Sequence, residues 1–279
     1  MSAPGPELNS ILRLLDDDNP TVRAAVREKL ASYGPELETA LADAAPDLRT
    51  QAIALQRSYR REEFSELWKS WTKEPSDHAK LESGQALLAN YLSGGAIDAE
   101  AISVKLDRLA AEFGRQFPEQ DFRNLTSFLF RSGLFQGDGD RYYHPDNSNF
   151  AKVLSSRRGN PISLACVFIL VGQRVGLDVG GCNYPAHFLA RAICERDGEL
   201  YLVDCFNEGK VLAADELIQH HPLVSHEVRD VVSEFASAEI ILARVIRNLE
   251  NAFDQQQLPD EKALMRRLWK IMAEAGEAE

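Results

Sequence analysis

The chain has 279 residues, with 44% hydrophobic and 27% charged, the balance of an ordinary globular protein and not of a disordered one. Its 31 Lys+Arg against 43 Asp+Glu give a net charge of -12, so nucleic acid and anionic membrane are poor partners on charge alone. The most apolar run, residues 162–172, is about half the ~20 residues that a spanning helix needs. Residues 1–7 lack the basic start and apolar core of a secretory signal. Cys166, Cys182, Cys194 and Cys205 lie in apolar segments without a Cys-x-x-Cys pair, the usage of reduced, buried thiols in a cytoplasmic protein. The pairs Arg60-Arg61, Arg157-Arg158 and Arg266-Arg267 do not form a stripe and are expected to be solvated faces or local ion pairs.

From residue 6 to about residue 114 the composition is that of helices, rich in Ala, Leu, Glu, Arg and Gln. Two segments repeat a pattern: Pro20-Thr21-Val22-Arg23 and Pro46-Asp47-Leu48-Arg49 each follow an Asp-containing turn, with the proline where a first helical turn tolerates it. Val22, Val26 and Leu30 then share one face at a spacing of four. This pattern resembles a HEAT-type helical repeat of about two units, fewer than a free-standing solenoid requires, so a short helical cap is the preferred expectation over a concave binding surface. The polar stretch 73–78 bends the path, and amphipathic helices are expected at 80–92 and 99–113.

After Phe122 the period changes. Leu125, Phe128, Leu129 and Phe130 predict an apolar helix ending near Gly133. The run Gly137-Asp138-Gly139-Asp140 lacks the ligand spacing of a calcium loop and reads as a turn. Phe150, Val153 and Leu154 mark a short helix. Pro161 then opens a helix apolar on all sides to Val171, which belongs in the middle of a domain, and Gly176 stops it. Strands are expected at 179–184, 187–193 and 199–204, the last two joined by the hairpin signal Asp197-Gly198. The end of the chain returns to helix at 238–253 and 260–273, broken at Leu258-Pro259.

A buried helix starting at Asn160, a strand-borne His187 and Asp204 on the paired strand make the frame of a thiol-hydrolase site. A helix dipole and a His cation would lower a thiol's pKa there, while the acid orients the imidazole. The stretches Tyr143-His144-Pro145-Asp146-Asn147, Arg157-Arg158-Gly159-Asn160-Pro161-Ile162-Ser163-Leu164, Asn183-Tyr184-Pro185-Ala186-His187-Phe188-Leu189 and Leu202-Val203-Asp204-Cys205-Phe206-Asn207-Glu208-Gly209 together resemble the transglutaminase-like superfamily of papain-like fold, in its SirB-type branch. Together with the HEAT-like repeat pattern, the resemblance implies an α+β, predominantly helical protein: a HEAT-like helical region over 1–95, a transglutaminase-like core over 96–235 with a buried helix on a small antiparallel sheet, and a helical extension over 236–279. It also implies that His187 and Asp204 stand at the catalytic His and Asp positions. Counting back from Gly176 places the family's nucleophilic Cys at Pro161, which has no nucleophilic atom.

Ser163 lies roughly 200° around the helix from Pro161, and Cys166 sits more than a turn inside an apolar helix, so neither is a ready substitute. Asn160, Cys182 and Tyr184 are expected to line the pocket. The leading expectation is a non-catalytic or much-reduced domain that binds another protein, with no cofactor, metal, nucleic acid or membrane. Two rivals stay open: a hydrolase or amide-bond enzyme using Ser163 or a water activated by His187, and a metal site combining His187 with Cys182 or Cys205. The group His220, His221 and His226 beside Pro222 reads as a surface turn.

Overall fold

The computed structural model describes residues 5–185, 187–215 and 226–276. Its first helices are α1 (Pro6–Arg13), α2 (Pro20–Ser32), α3 (Leu37–Ala40) and α4 (Pro46–Leu67). Pro20 and Pro46 each open a helix, and the Asn19 side chain caps α2 by accepting from Thr21 N. These helices share a small core of their own, in which Val26 and Leu30 meet Leu8, Leu37, Leu41 and Ala52. Buried Gln56 ties it together by donating to the Leu30 and Gly34 carbonyls. The far end of α4 leaves that core, because Phe64 belongs to the main one with Trp68 and Trp71 of the following 3-10 turn.

Ser76 and Asp98 cap α5 (Asp77–Leu92) and α6 (Ala99–Gln116), each side chain accepting a first-turn N–H. α7 (Phe122–Thr126) runs into a wide turn over Ser127–Arg131, and Gly133 leaves it at φ +77°. α8 (Phe150–Ser156) lies between two short strands, β1 (Gln136–Gly137) and β2 (Arg158–Gly159), which pair in parallel. That pairing brings Arg158 within 3.7 Å of Asp138, and Arg157 sits over the Phe135 ring.

α9 (Pro161–Arg174) is the axis of the molecule, buried without interruption from Pro161 to Gly172. Against it lies an antiparallel sheet in simple sequential order, β3 (Val179–Cys182), β4 (Leu189–Ile193), β5 (Leu200–Asp204) and β6 (Lys210–Ala213). Three strands were expected and four are found. β6 continues the meander from β5 through a turn that ends at Gly209. Alternation divides the sheet: Ala190, Ala192, Val203 and Cys205 join the main core, whereas Cys182, Leu189 and Leu202 join a smaller cluster with Ala214 and Val232. α10 (His226–Ser233), α11 (Ala238–Gln255) and α12 (Pro259–Gly276) complete the fold, with α11 and α12 forming a helical pair.

The protein is therefore α+β and predominantly helical, as the sequence implies. Two strand limits differ from the apolar runs. β3 stops at Cys182 and β4 starts only at Leu189, so His187 sits on the connection and not on the strand. Pro185, which has no N–H for the ladder, lies in that gap. His220 and His221 fall outside the described residues, and His226 opens α10 where a turn was expected. Among the described residues no helix is long and apolar enough to cross a membrane.

Candidate functional site

The start of α9 is held from several sides. Asn160 caps the helix by accepting from Ser163 N at 3.0 Å, and its Nδ2 donates to Ser148 Oγ at 2.8 Å. Both ends of that amide are used, so the cap cannot turn away without stranding a buried donor. A cavity of about 20 Å³ lies against Asn160, walled by Tyr142, Tyr143 and His144 on one side and by Asn248 and Asn251 of α11 on the other. That is room for a single water and not for a substrate group. His144 in turn accepts from Asp146 N at 3.2 Å, which fixes its ring on the loop.

His187 and Asp204 do come together, as the Asp197-Gly198 hairpin requires. Ala190 pairs with Val203, so the two strands bring the residues beyond them to the same end of the sheet. His187 Nε2 stands 2.9 Å from Asp204 Oδ1, with the imidazole about one-third exposed and the carboxylate 13% exposed. At this short separation the alignment falls short of a good hydrogen bond. Asp204 also accepts from Asn207 N and Asn207 Nδ2. Burial alone would push its carboxyl up, but His187 and Asn207 together outweigh burial and hold it below the ordinary value of 3.8.

A depressed folded-state pKa contributes stability that is present above the unfolded value and is lost as pH falls through the folded one. The thermal midpoint of wild type should therefore exceed that of Asp204→Asn by its full margin near about pH 6 and by progressively less below about pH 4. A margin that stays constant down to about pH 3 would show that the charge on Asp204 contributes nothing to folding.

The other expected site residues do not join this pair. Ser163 is completely buried, and its Oγ has no hydrogen-bond partner. Cys182 and Tyr184 pack in the cluster on the far face of the sheet and do not line the Asn160 cavity, while Cys205 lies in the main core. The two thiols thus sit on opposite faces, each packed in its own apolar cluster. No group of three or more His, Cys, Asp or Glu among the described residues is placed to hold a metal ion. Burial pushes the Cys166 thiol up to about 12 and Cys182 up to about 11, with Cys205 also raised well above its ordinary range. None of these thiols supplies a thiolate at neutral pH.

Sequence reasoning missed Arg244. From α11 its Nη1 donates to Asn183 Oδ1 at 2.7 Å, with the Tyr184 carbonyl at 3.5 Å, so α11 holds the connection that carries His187. Tyr142 meets the Phe206 ring at 5.8 Å, linking the loop over Asn160 to the turn after Asp204. Neither contact has a local signal, because each joins segments about 60 residues apart.

The family model of the transglutaminase-like superfamily matches residues 100–247, more than half of the chain. A UPF0162 protein of Xylella fastidiosa (strain 9a5c) is 37% identical over 135 residues, covering 46% of this chain and 47% of the relative. F-box only protein 21 of Mus musculus is 25% identical over 148 residues, 51% of this chain and 23% of that protein. The matches thus span less than half the length of these curated relatives. No solved structure matches. With the buried α9, the four-stranded sheet and the adjoining His187 and Asp204 all inside the matched region, the chain belongs to the transglutaminase-like superfamily.

Proposed function

We propose that this chain is a transglutaminase-like domain without a working nucleophile, whose role is to bind another protein. The observation that carries this reading is the start of α9. Pro161 occupies the position that the family resemblance gives to the nucleophilic Cys, and the hydroxyl of Ser163, in the same helical turn, is sealed from solvent with no base in hydrogen-bond contact. The cavity beside the Asn160 cap admits one water at most. His187 and Asp204 then serve as an inherited scaffold pair that closes the end of the sheet. Removing one member leaves the largely buried Asp204 carboxylate short of a partner, which is costly, so such a pair outlasts its chemistry. The location this fits is the cytoplasm, where four free thiols stay reduced.

One observation favours a second reading. The His187 imidazole is about one-third exposed with a carboxylate behind it, the arrangement of a base that activates water.

A probe experiment separates the readings. Wild type, Ser163→Ala and His187→Ala are treated with serine- and thiol-directed covalent probes and assayed on ester, amide and thioester panels. No labelling and no turnover distinguishable from His187→Ala are expected. Removing the unpaired Ser163 hydroxyl should leave stability unchanged or raise it by about 1 kcal/mol, because a buried polar group without a partner is itself destabilising. Labelling of Ser163, or hydrolysis that His187→Ala abolishes and Ser163→Ala does not, would replace the binding reading with the corresponding enzyme.

A further inference from the structure

Beside the connection that carries His187, a groove of about 250 Å³ runs between α11 and α12, lined by Asn183, Ile240, Ala243, Arg244, Arg247 and Trp269. Four of these residues fall at i, i+3, i+4 and i+7 of α11 and so form one stripe on its surface. Two properties of the stripe call for an explanation. Ile240 and Trp269 are 43% and 48% exposed, which leaves an aliphatic and an indole surface side by side in water. Among the described residues neither guanidinium group has a carboxylate partner. Among those residues Arg244 donates to an amide oxygen and a carbonyl, and Arg247 makes no hydrogen bond or ion pair.

In a chain of net charge -12, Arg57, Arg61, Arg174, Arg196 and Arg266 are each paired with an acid, whereas Arg244 and Arg247, one turn apart on this groove, are not. Two adjacent arginines left without an acid, flanked by exposed Ile and Trp, form the complement of a carboxylate next to a large apolar side chain. Trp and Arg are also the residue types that anchor protein interfaces. The groove is smaller than the 300–1,000 Å³ or so of small-molecule sites, which favours one or two side chains of a peptide over a cofactor. A polyphosphate strand fits poorly, because its charge would continue past the two arginines along a chain of net charge -12. A short segment with one or two carboxylates is different, since charges beyond about 8 Å are screened at physiological salt.

We propose that the groove between α11 and α12 docks a short segment of a partner protein that carries Asp or Glu beside an apolar residue, held by Arg244, Arg247 and Trp269. This deepens the protein-binding reading and rests on it.

The test is selection of random linear peptides on the intact protein, followed by titration of the selected sequences. Trp68 and Trp71 are 0% and 1% exposed, so a shift in tryptophan emission on binding reports on Trp269. Arg247→Gln and Trp269→Ala alter exposed side chains, and circular dichroism would verify that both variants keep the fold. The expected result is enrichment of acidic-apolar sequences. Their affinity should fall roughly tenfold in either variant, and by a similar factor when the peptide carboxylates become amides. Selection of no peptide, of peptides lacking acids, or of peptides that bind both variants like wild type would overturn the proposal. Equal competition by a single-stranded oligonucleotide would overturn it too. A partner protein that binds the intact chain and tolerates both substitutions would also overturn the groove, while leaving the protein-binding reading in place.

Discussion

Replacing Arg174 by methionine should destabilise the protein by about 3 kcal/mol, the largest loss expected from any single charged side chain here. Arg174 ends α9 and is only 13% exposed. Its Nη2 donates to both Glu82 oxygens at 2.8 and 2.7 Å and to Ser103 Oγ at 3.2 Å, its Nε donates to Asp107 at 2.7 Å, and its Nη1 donates to the Leu170 carbonyl. One guanidinium therefore fastens α5, α6 and α9. The contact with Asp107 contributes little, because that acid is 65% exposed. Glu82 decides the magnitude. At 17% exposure it would be left with only His78, 3.6 Å away, and a desolvated carboxylate without its cation is strongly destabilising. Glu82→Gln should cost less, about 1–2 kcal/mol, because Arg174 keeps Asp107 and the Leu170 carbonyl. Urea denaturation of both single variants and the double variant measures the coupling, and a loss below about 1 kcal/mol for Arg174→Met would mean that Glu82 rehydrates freely.

That network marks where the sequence stops being informative. The helices were legible because their signals are local: Pro20, Pro46 and Pro161 at first turns, and an apolar run over residues 162–172 too complete for a surface. The approach of His187 to Asp204 followed from hairpin geometry, which fixes partners across a turn. Arg174 looked like a polar residue closing a helix, since nothing near it in sequence names Glu82, 92 positions earlier. The same holds for Arg244 and for the wall that Asn248 and Asn251 build over Asn160. The placement of the thiols was within reach. Cys205 is two steps from Val203 and shares its face, while Cys182 pairs with Leu189 on the other, so period-two counting separates them. The start of β4 was misplaced because residues 187–193 are apolar enough for a strand, and only Pro185 hints that the ladder starts late.

Gly209 should tolerate no side chain. It stands at φ +67°, in the left-handed region, and a Cβ built there would lie 2.4 Å from Thr126 Cγ2 and 3.1 Å from Phe130 Cβ. Neither neighbour can yield, because both are buried, and the Thr126 hydroxyl donates to the Phe122 carbonyl. Left-handed strain of about 1 kcal/mol and overpacking of about 1–3 kcal/mol add to an expected loss of about 2–4 kcal/mol for Gly209→Ala. Glu208 is the natural control. It too is left-handed, at φ +56°, but it carries a side chain already, so Glu208→Gly should change stability by less than about 1 kcal/mol in either direction. The consequence reaches the site, because the turn from Asp204 to Gly209 is closed by the Asn207 N–H and side-chain amide donating to the Asp204 carboxylate. Shifting Gly209 to relieve the clash moves that turn and loosens the Asp204 contact with His187. Gly209→Ala should therefore also lose the stability that charged Asp204 contributes near about pH 6, and with it the decline below about pH 4 that Glu208→Gly should keep. Thermal midpoints of the two variants across that range measure both effects, and an alanine at 209 that matched wild type in each would show that α7 and its following turn give way at no cost.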